Sequence, residues 1–250
     1  MRIAVCVKRV PDTTTKIVIA TDGKSIDESG VKFVPNPYDE YALEAAIALK
    51  EKASGGETAV FCLGTDQAQE TIRTALAMGI DRGVLVQSKG SADGLEVARA
   101  LAQELKGGGG FDLILFGKMA VDDYNHQVGV MVGELLELPC ISAVATLVIE
   151  NGAVHAEREV EGGLEVVTCQ LPAVVTTDKG LNTPRLPSLK GIMAAKKKPL
   201  EVKPASLGPG TLSVTGLALP PERKAGKIVG EGPDAVPALV QLLRSEAKVI

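Results

Sequence analysis

The sequence predicts an α/β fold: a doubly wound, mainly parallel sheet with antiparallel edge strands and an extended C-terminal arm. Three observations carry this. Short apolar runs, Arg2 to Val7, Thr58 to Leu63, Val84 to Gln87 and Phe111 to Phe116, alternate with segments of helical spacing. That alternation builds a parallel sheet covered on both faces. After Pro139 the pattern changes to consecutive strand-like runs with turns at Asn151-Gly152 and Gly162-Gly163, too short for parallel crossovers. From Pro199 to about Gly226 the chain is rich in Pro and Gly with weak periodicity, which suits an arm and not a packed element.

Taken in order, Arg2 to Val7 reads as a buried parallel strand ended by Pro11-Asp12. Lys16 to Ala20 and Ser25 to Glu28 flank Thr21-Asp22-Gly23-Lys24 as a small surface hairpin. Past Pro35-Asn36-Pro37, Tyr38 to Lys52 forms a helix with Tyr41, Ala45, Ala48 and Leu49 on its apolar face, ended by Ser54-Gly55-Gly56. Thr65 or Asp66 caps a helix from Gln67 to Met78 that Gly79 closes, and Ser91 can cap another through Leu105. Gly107 to Gly110 is a loop, and Gly117-Lys118 leads to a helix from about Asn125 to Leu136. Ser142 to Glu150, Ala153 to Val160, Leu164 to Leu171 and Ala173 to Thr177 are expected as antiparallel additions near one sheet edge. Asp234 to Ala247 is a last amphipathic helix. Residues 1–198 are thus expected to form one α/β domain. Residues 199–250 form an arm and helix packing on a partner subunit, because an ordered arm of this length is unusual inside one subunit.

Composition removes several function classes. The net charge is −4, aromatics make up 3% and Trp is absent, so neither an electrostatic footprint nor a stacking platform for nucleic acid is present. Lys196-Lys197-Lys198 is the single basic run, short enough to be helix C-terminal cations favoured by the macrodipole. No apolar run approaches the ~20 residues of a membrane span, so no direct membrane insertion is expected. The opening MRIAVCVKRV lacks a signal-peptide apolar region, and a cytoplasmic location is the default. Cys6, Cys62, Cys140 and Cys169 have no C-x-x-C spacing and lie in or beside apolar runs, which reads as buried reduced thiols.

In an open α/β sheet, ligands bind at the carboxyl ends of the strands. Three such ends are chemically suggestive: Cys6-Val7-Lys8-Arg9 with two cations, Cys62-Leu63-Gly64 with a close-approach glycine, and the junction Gly117-Lys118-Met119-Ala120-Val121-Asp122-Asp123-Tyr124-Asn125-His126-Gln127-Val128-Gly129. Free N–H groups at Asn125 to Gln127 would make a phosphate site at a helix start. Asp122 and Asp123 fit ordinary N-caps as well as ribose contacts, and two aspartates without a third ligand make no metal site. His126 reads as polar surface or ligand shell, since no nucleophile stands beside it. His155 reads as a solvated residue on an edge strand.

The block from Ala156 to Pro199 carries a longer signal. Ala156, Arg158, Glu161, Gly162, Gly163, Glu165, Val167, Pro172, Val174, Val175 and Thr176, followed by the N-x-P-R-x-x-S-L-x-x-I-M-x-A-K-K-K run from Asn182 to Lys198, resemble the beta subunit of electron transfer flavoproteins. The resemblance implies an adenine nucleotide alpha hydrolase-like sheet, a heterodimer with an alpha subunit that holds most of the FAD, and an AMP in the beta subunit. Carried over, the AMP contacts fall on Cys6, Asn36, Pro37, Tyr38, Asp39, Cys62 and Gly117 to Val128. It also implies donors among acyl-CoA or other dehydrogenases, including those of fatty acid beta-oxidation. Glu159 matches a glutamate that pairs with the mobile flavin domain. Arg185 to Ala194 matches a partner-recognition loop, with Leu189 as its apolar plug and Ile192 and Met193 beside it. Read on its residues alone, Leu189 between Ser188 and Lys190 suits a core position equally well.

Four positions depart from the pattern. Val128 replaces a threonine usual in AMP-binding members, and Gln127-Val128-Gly129 resembles the electron-bifurcating branch, which holds a second FAD there. That branch usually has Arg at Lys118 and Gly at Asp123. Thr13, in the Val10 to Thr13 loop expected near the flavin, replaces a tyrosine of mammalian members. AMP is the expected ligand, a second FAD the alternative, and a non-redox nucleotide-binding module a further one. The S-G-G-x-D-S loop of ATP pyrophosphatases and the glycine-rich phosphate loop of stress-protein-like sensors are absent from the sequence.

Overall fold

The structure, a computed structural model, describes residues 1–250 apart from Ser54, Ser91, Pro209, Arg223 and Lys224. The apolar runs become short strands and the periodic segments between them become helices. In chain order these are β1 (Arg2–Cys6), β2 (Arg9–Pro11), β3 (Phe33–Pro35), α1 (Pro37–Lys52), β4 (Glu57–Gly64), α2 (Ala68–Met78), β5 (Arg82–Gln87), α3 (Gly94–Gly107), β6 (Leu113–Gly117) and α4 (Val128–Leu136). The second half adds β7 (Cys140–Glu150), β8 (Ala153–Val160), β9 (Gly163–Gln170), β10 (Ala173–Thr177), α5 (Leu189–Ala195), β11 (Leu200–Pro204) and α6 (Val236–Leu242). A 3-10 turn at Pro233–Ala235 and a π turn at Leu243–Ala247 flank α6.

Among the described residues nine strands form one sheet, ordered β11-β5-β4-β1-β6-β10-β7-β8-β9. β1 lies between two parallel neighbours, with Cys6 opposite Phe61 of β4 and Phe116 of β6. The chain winds outward from β1 through β4 to β5 and returns to β6 on the other side, so the β1/β6 boundary is the topological switch point. Alternate residues point to opposite faces. Ile3, Val5, Val60 and Leu85 pack with α1 and α2, while Ala4, Phe61, Val84 and Val86 pack with α3 and α4. Phe61 meets Phe111 edge-on at 5.7 Å.

Several expectations need correction. β10 is parallel to both β6 and β7 and lies inside the sheet. All five of its residues are buried, as a strand covered on both faces requires, so it is no antiparallel edge addition. The meander β7-β8-β9 is antiparallel as expected, and it makes β8 an internal strand. His155 is therefore exposed but not at an edge, with Nδ1 3.2 Å from Thr168 Oγ1. β11 pairs in parallel with β5, so the first residues of the expected arm complete the sheet. The proposed hairpin is reduced to one bridge between Ile19 and Ile26. Its tip is held by Asp22, which accepts from the Lys24 and Ser25 amides. The α1 helix is in place and Ala45 is buried as expected, but Ala42, Leu43, Ala46 and Ile47 are buried with it and Ala48 is exposed. An alanine-rich helix offers little contrast between faces.

The helix starts differ too. Gln67 occupies the N-cap position of α2 without a side-chain cap, and Asp66 instead accepts from Gln87 Nε2 at 2.7 Å. Ser91 and the helix breaker Ser54 lie outside the described residues. The cap of α3 is Asp93, in a complete capping box with Glu96. α5 docks on α2 through Gly191, where a Cβ would collide with the Ala77 carbonyl. Beside it Lys198 Nζ donates to Leu76 O at 2.8 Å and Ile80 O at 2.6 Å. The cation thus serves a helix C-terminus, that of α2.

Candidate functional site

A cleft of about 1020 Å³ opens at the carboxyl ends of β1, β4, β5 and β6, over the switch point. Its floor is fixed by Asn36 and Asp39. Asn36, buried just before the Pro37 that starts α1, accepts from the Val121 amide through Oδ1 (3.1 Å) and donates through Nδ2 to Met119 O (2.8 Å) and Asp39 Oδ1 (3.0 Å). Asp39 also accepts from the Lys8 amide (2.7 Å) and the Gly117 amide (3.1 Å). The ends of β1 and β6 and the first turn of α1 therefore meet on one carboxylate. Gly117 has no alternative, because a Cβ there would run into Asp39 and Tyr38. Burial pushes the Asp39 carboxyl up to about 7, outweighing the donors that favour its charged form.

The loop 118–127 forms one wall. Lys118 is tied to Asp178 at 2.8 Å, and Tyr124 and His126 adopt left-handed backbone with φ of 55° and 54°. Lys8 Nζ reaches both Asp122 (2.8 Å) and Asp123 (2.9 Å), and Asp123 also accepts from the Asn125 amide. Neither aspartate caps a helix. α4 begins at Val128, later than expected, and no side chain caps its first turn. The open N–H groups at a helix start thus belong to α4 from Val128 onward, and Val128 and Gly129 line the cleft. Val97, Leu101 and Phe116 give the opposite side an apolar surface. Arg9, its guanidinium 3.5 Å over the Phe33 ring, closes another side.

Of the residues singled out in the sequence, Cys6, Asn36, Asp39, Gly117 to Ala120, Asp122, Asp123 and Asn125 to Val128 line this cleft. Pro37, Tyr38, Val121 and Tyr124 flank it. Cys62 is wholly buried with the α1 and α2 side chains. Burial raises Cys6 and pushes Cys62 up to about 12, so both thiols stay protonated and unreactive. Sequence reasoning missed Asp66, Gln67, Ser88, Gly94 and Leu217, which also line the cleft. A ligand-facing role for Asp66 is readable from its place just past the end of β4, whereas Leu217 lies far along the chain from Gly129, the nearest other wall residue in sequence, and gives no local signal. Among the described residues no group of three or more His, Cys, Asp or Glu could hold a metal ion.

A second surface surrounds α5. Leu189 is 83% exposed and Met193 72%, with Leu186 and Ile192 also exposed, so the core reading of Leu189 does not hold. Arg185 turns the other way. Its guanidinium pairs with Glu44 at 2.8 Å and Glu51 at 2.8 Å on α1, so within this chain it braces the loop base. Glu159 is exposed on β8.

Sheet order and cleft place the chain in the doubly wound α/β class, whose members hold ligands at the switch point. Residues 24–207 match the family model described as electron transfer flavoprotein domain. Over its full length the chain is similar to the electron transfer flavoprotein subunit beta of Bacillus subtilis, with 44% identity over 262 residues covering 100% of both chains. That of Syntrophomonas wolfei is 42% identical over 250 residues, covering 100% of this chain and 98% of the relative. The human subunit is 42% identical over 252 residues, covering 98% of each. The chain belongs to the electron transfer flavoprotein family, among its beta subunits.

Proposed function

We propose that the chain is the fixed half of a heterodimeric electron carrier: it holds AMP in the switch-point cleft and helps an alpha subunit hold FAD. Electrons then pass from acyl-CoA or other dehydrogenases, including those of fatty acid beta-oxidation, to an acceptor. Bound FAD supplies one- and two-electron chemistry, and the protein supplies position and electrostatics. The observation that carries the reading is the cleft itself: the uncapped start of α4, the cations Lys8 (paired with Asp122 and Asp123) and Arg9, and an apolar wall line one opening at the switch point. These are the donor set a phosphate and an adenine ring require. Asn36, Asp39 and the Gly117 to Val128 loop would hold the nucleotide. In this reading the chain acts as a carrier subunit and not a stand-alone catalyst.

Exposed apolar side chains support the heterodimer. Leu164 and Val166 on β9, and Leu212, Leu219 and Ile228 along the arm, are all more than half exposed, apolar surface that a partner subunit would cover. Glu159 on the same meander is free to meet a mobile flavin domain through a weak, breakable pair. Among the described residues no helix is long and apolar enough to cross a membrane, and we place the complex in the cytoplasm. A second FAD in place of AMP is favoured by one observation, the cleft volume, which is at the upper end for small-molecule sites. Co-expression with the alpha partner tests the main reading. The expected product is a yellow one-to-one heterodimer, and a colourless chain that purifies alone and turns over ATP would contradict it.

A further inference from the structure

The C-terminal arm meets the cleft at three successive points. Just past β11 the Ala205 amide donates to Gln87 O at 2.8 Å, and Leu207 packs on the side of the sheet that α3 covers. The arm therefore continues along the carboxyl end of β5. Next it reaches the start of α3, where Asp93 divides its two oxygens. Oδ1 caps the helix by accepting from the Leu95 (3.0 Å) and Glu96 (2.9 Å) amides. Oδ2 accepts from the Thr211 amide (2.7 Å), the Thr211 hydroxyl (2.8 Å) and the Leu212 amide (3.1 Å). Finally the Leu217 amide donates to Gly23 O (2.8 Å) at the tip of the 12–32 segment. Leu217 lines the cleft there, together with Ile26 and Glu28 of that segment. Two anchors, one at α3 and one beyond the cleft mouth, thus hold the stretch 211–217 over the opening.

We propose that residues 211–217 are a strap forming the outer wall of the nucleotide cleft, with Asp93 as the positioning residue that latches it and Leu217 as its ligand-facing contact. The inference rests on the reading that the cleft holds an adenine nucleotide. A latch of this kind controls release more than recognition, since the strap adds one apolar contact but blocks the exit. Hydrogen bonds from the Glu96 amide first, then from the Thr211 amide and hydroxyl, hold the Asp93 carboxyl well below the usual carboxylate range. The latch is therefore charged at any working pH.

The division of labour at Asp93 gives a clean variant. In Asp93→Asn the remaining oxygen still caps α3, because Asn is as good an N-cap as Asp. The new amide then faces two backbone N–H groups it cannot accept. AMP release from the intact heterodimer, followed by chasing bound labelled AMP with unlabelled AMP, is expected to quicken at least tenfold in Asp93→Asn. FAD content should stay the same. Hydrogen exchange should show the Thr211 and Leu212 amides losing protection while Leu95 and Glu96 keep theirs. Leu217→Ala, which leaves the latch intact, should quicken release without deprotecting Thr211. Release rates within twofold of wild type in both variants would overturn the strap while leaving the nucleotide reading intact. A wild-type heterodimer that retains no AMP would overturn the nucleotide reading and the strap with it.

Discussion

Asp39 accepts N–H groups from Lys8, Asn36 and Gly117, so a buried carboxylate joins the three chain segments that shape the cleft floor. Its pKa of about 7 lies above the ordinary carboxylate value of about 4. The folded state therefore binds more protons than the unfolded state between those limits. The stability Asp39 contributes is full below about pH 4 and is lost as pH rises through about 7. Thermal midpoints measured across this window should fall in the wild type and fall less in Asp39→Asn. The variant should also be weaker throughout, because an amide cannot accept all three donors. Equal pH slopes in the two proteins would remove Asp39 from the account. The importance of this residue was only half readable. Asn36 to Asp39 stood out through the family pattern, but nothing local says that the Asp39 carboxylate turns inward to the ends of β1 and β6. Arg185 makes the same point: its motif placed it on a partner surface, and Glu44 and Glu51 take it back to α1.

At the scale of elements, the parallel strands were legible because each is a short, nearly uninterrupted apolar run. β10 was misplaced because runs joined by tight turns read as one meander, and only burial on both faces reveals its position between β6 and β7. The start of α4 was read too early because Asn125 and His126 resemble first-turn residues, whereas the chain there is looped with left-handed backbone at Tyr124 and His126. α5 stands apart from the sheet layers, packed on α2 with Leu189, Ile192 and Met193 exposed. Gly191 lets it sit against α2, the Ser188 hydroxyl accepts from the Gly191 amide at 3.0 Å, and Pro184 and Pro187 limit the freedom of the preceding loop. Such pre-ordering lowers the cost of docking. Leu189→Ala removes the most exposed apolar side chain of α5 without touching the core. It should slow electron uptake from an acyl-CoA dehydrogenase-type donor by about tenfold, the scale of a small hot spot, with FAD content unchanged. Unaltered donor kinetics would mean that partners dock elsewhere.

For the whole molecule, the architecture separates a packed base from exposed apolar surfaces. The sheet and its two layers of helices hold the cleft. The β8-β9 meander, the α5 loop and the arm beyond β11 carry exposed apolar residues. The division at residue 198 expected from composition falls inside this base, because Leu200 to Pro204 alternate in the manner of an edge strand and pair with β5. Glycine and proline density pointed to an arm correctly from there on, but could not show that its first stretch closes over the chain's own cleft. The central claim is that this cleft holds one AMP while the shared site holds one FAD. Denaturing the purified heterodimer and quantifying the released nucleotides tests it most directly: one FAD and one AMP per heterodimer is the predicted result, and two FAD with no AMP would contradict it.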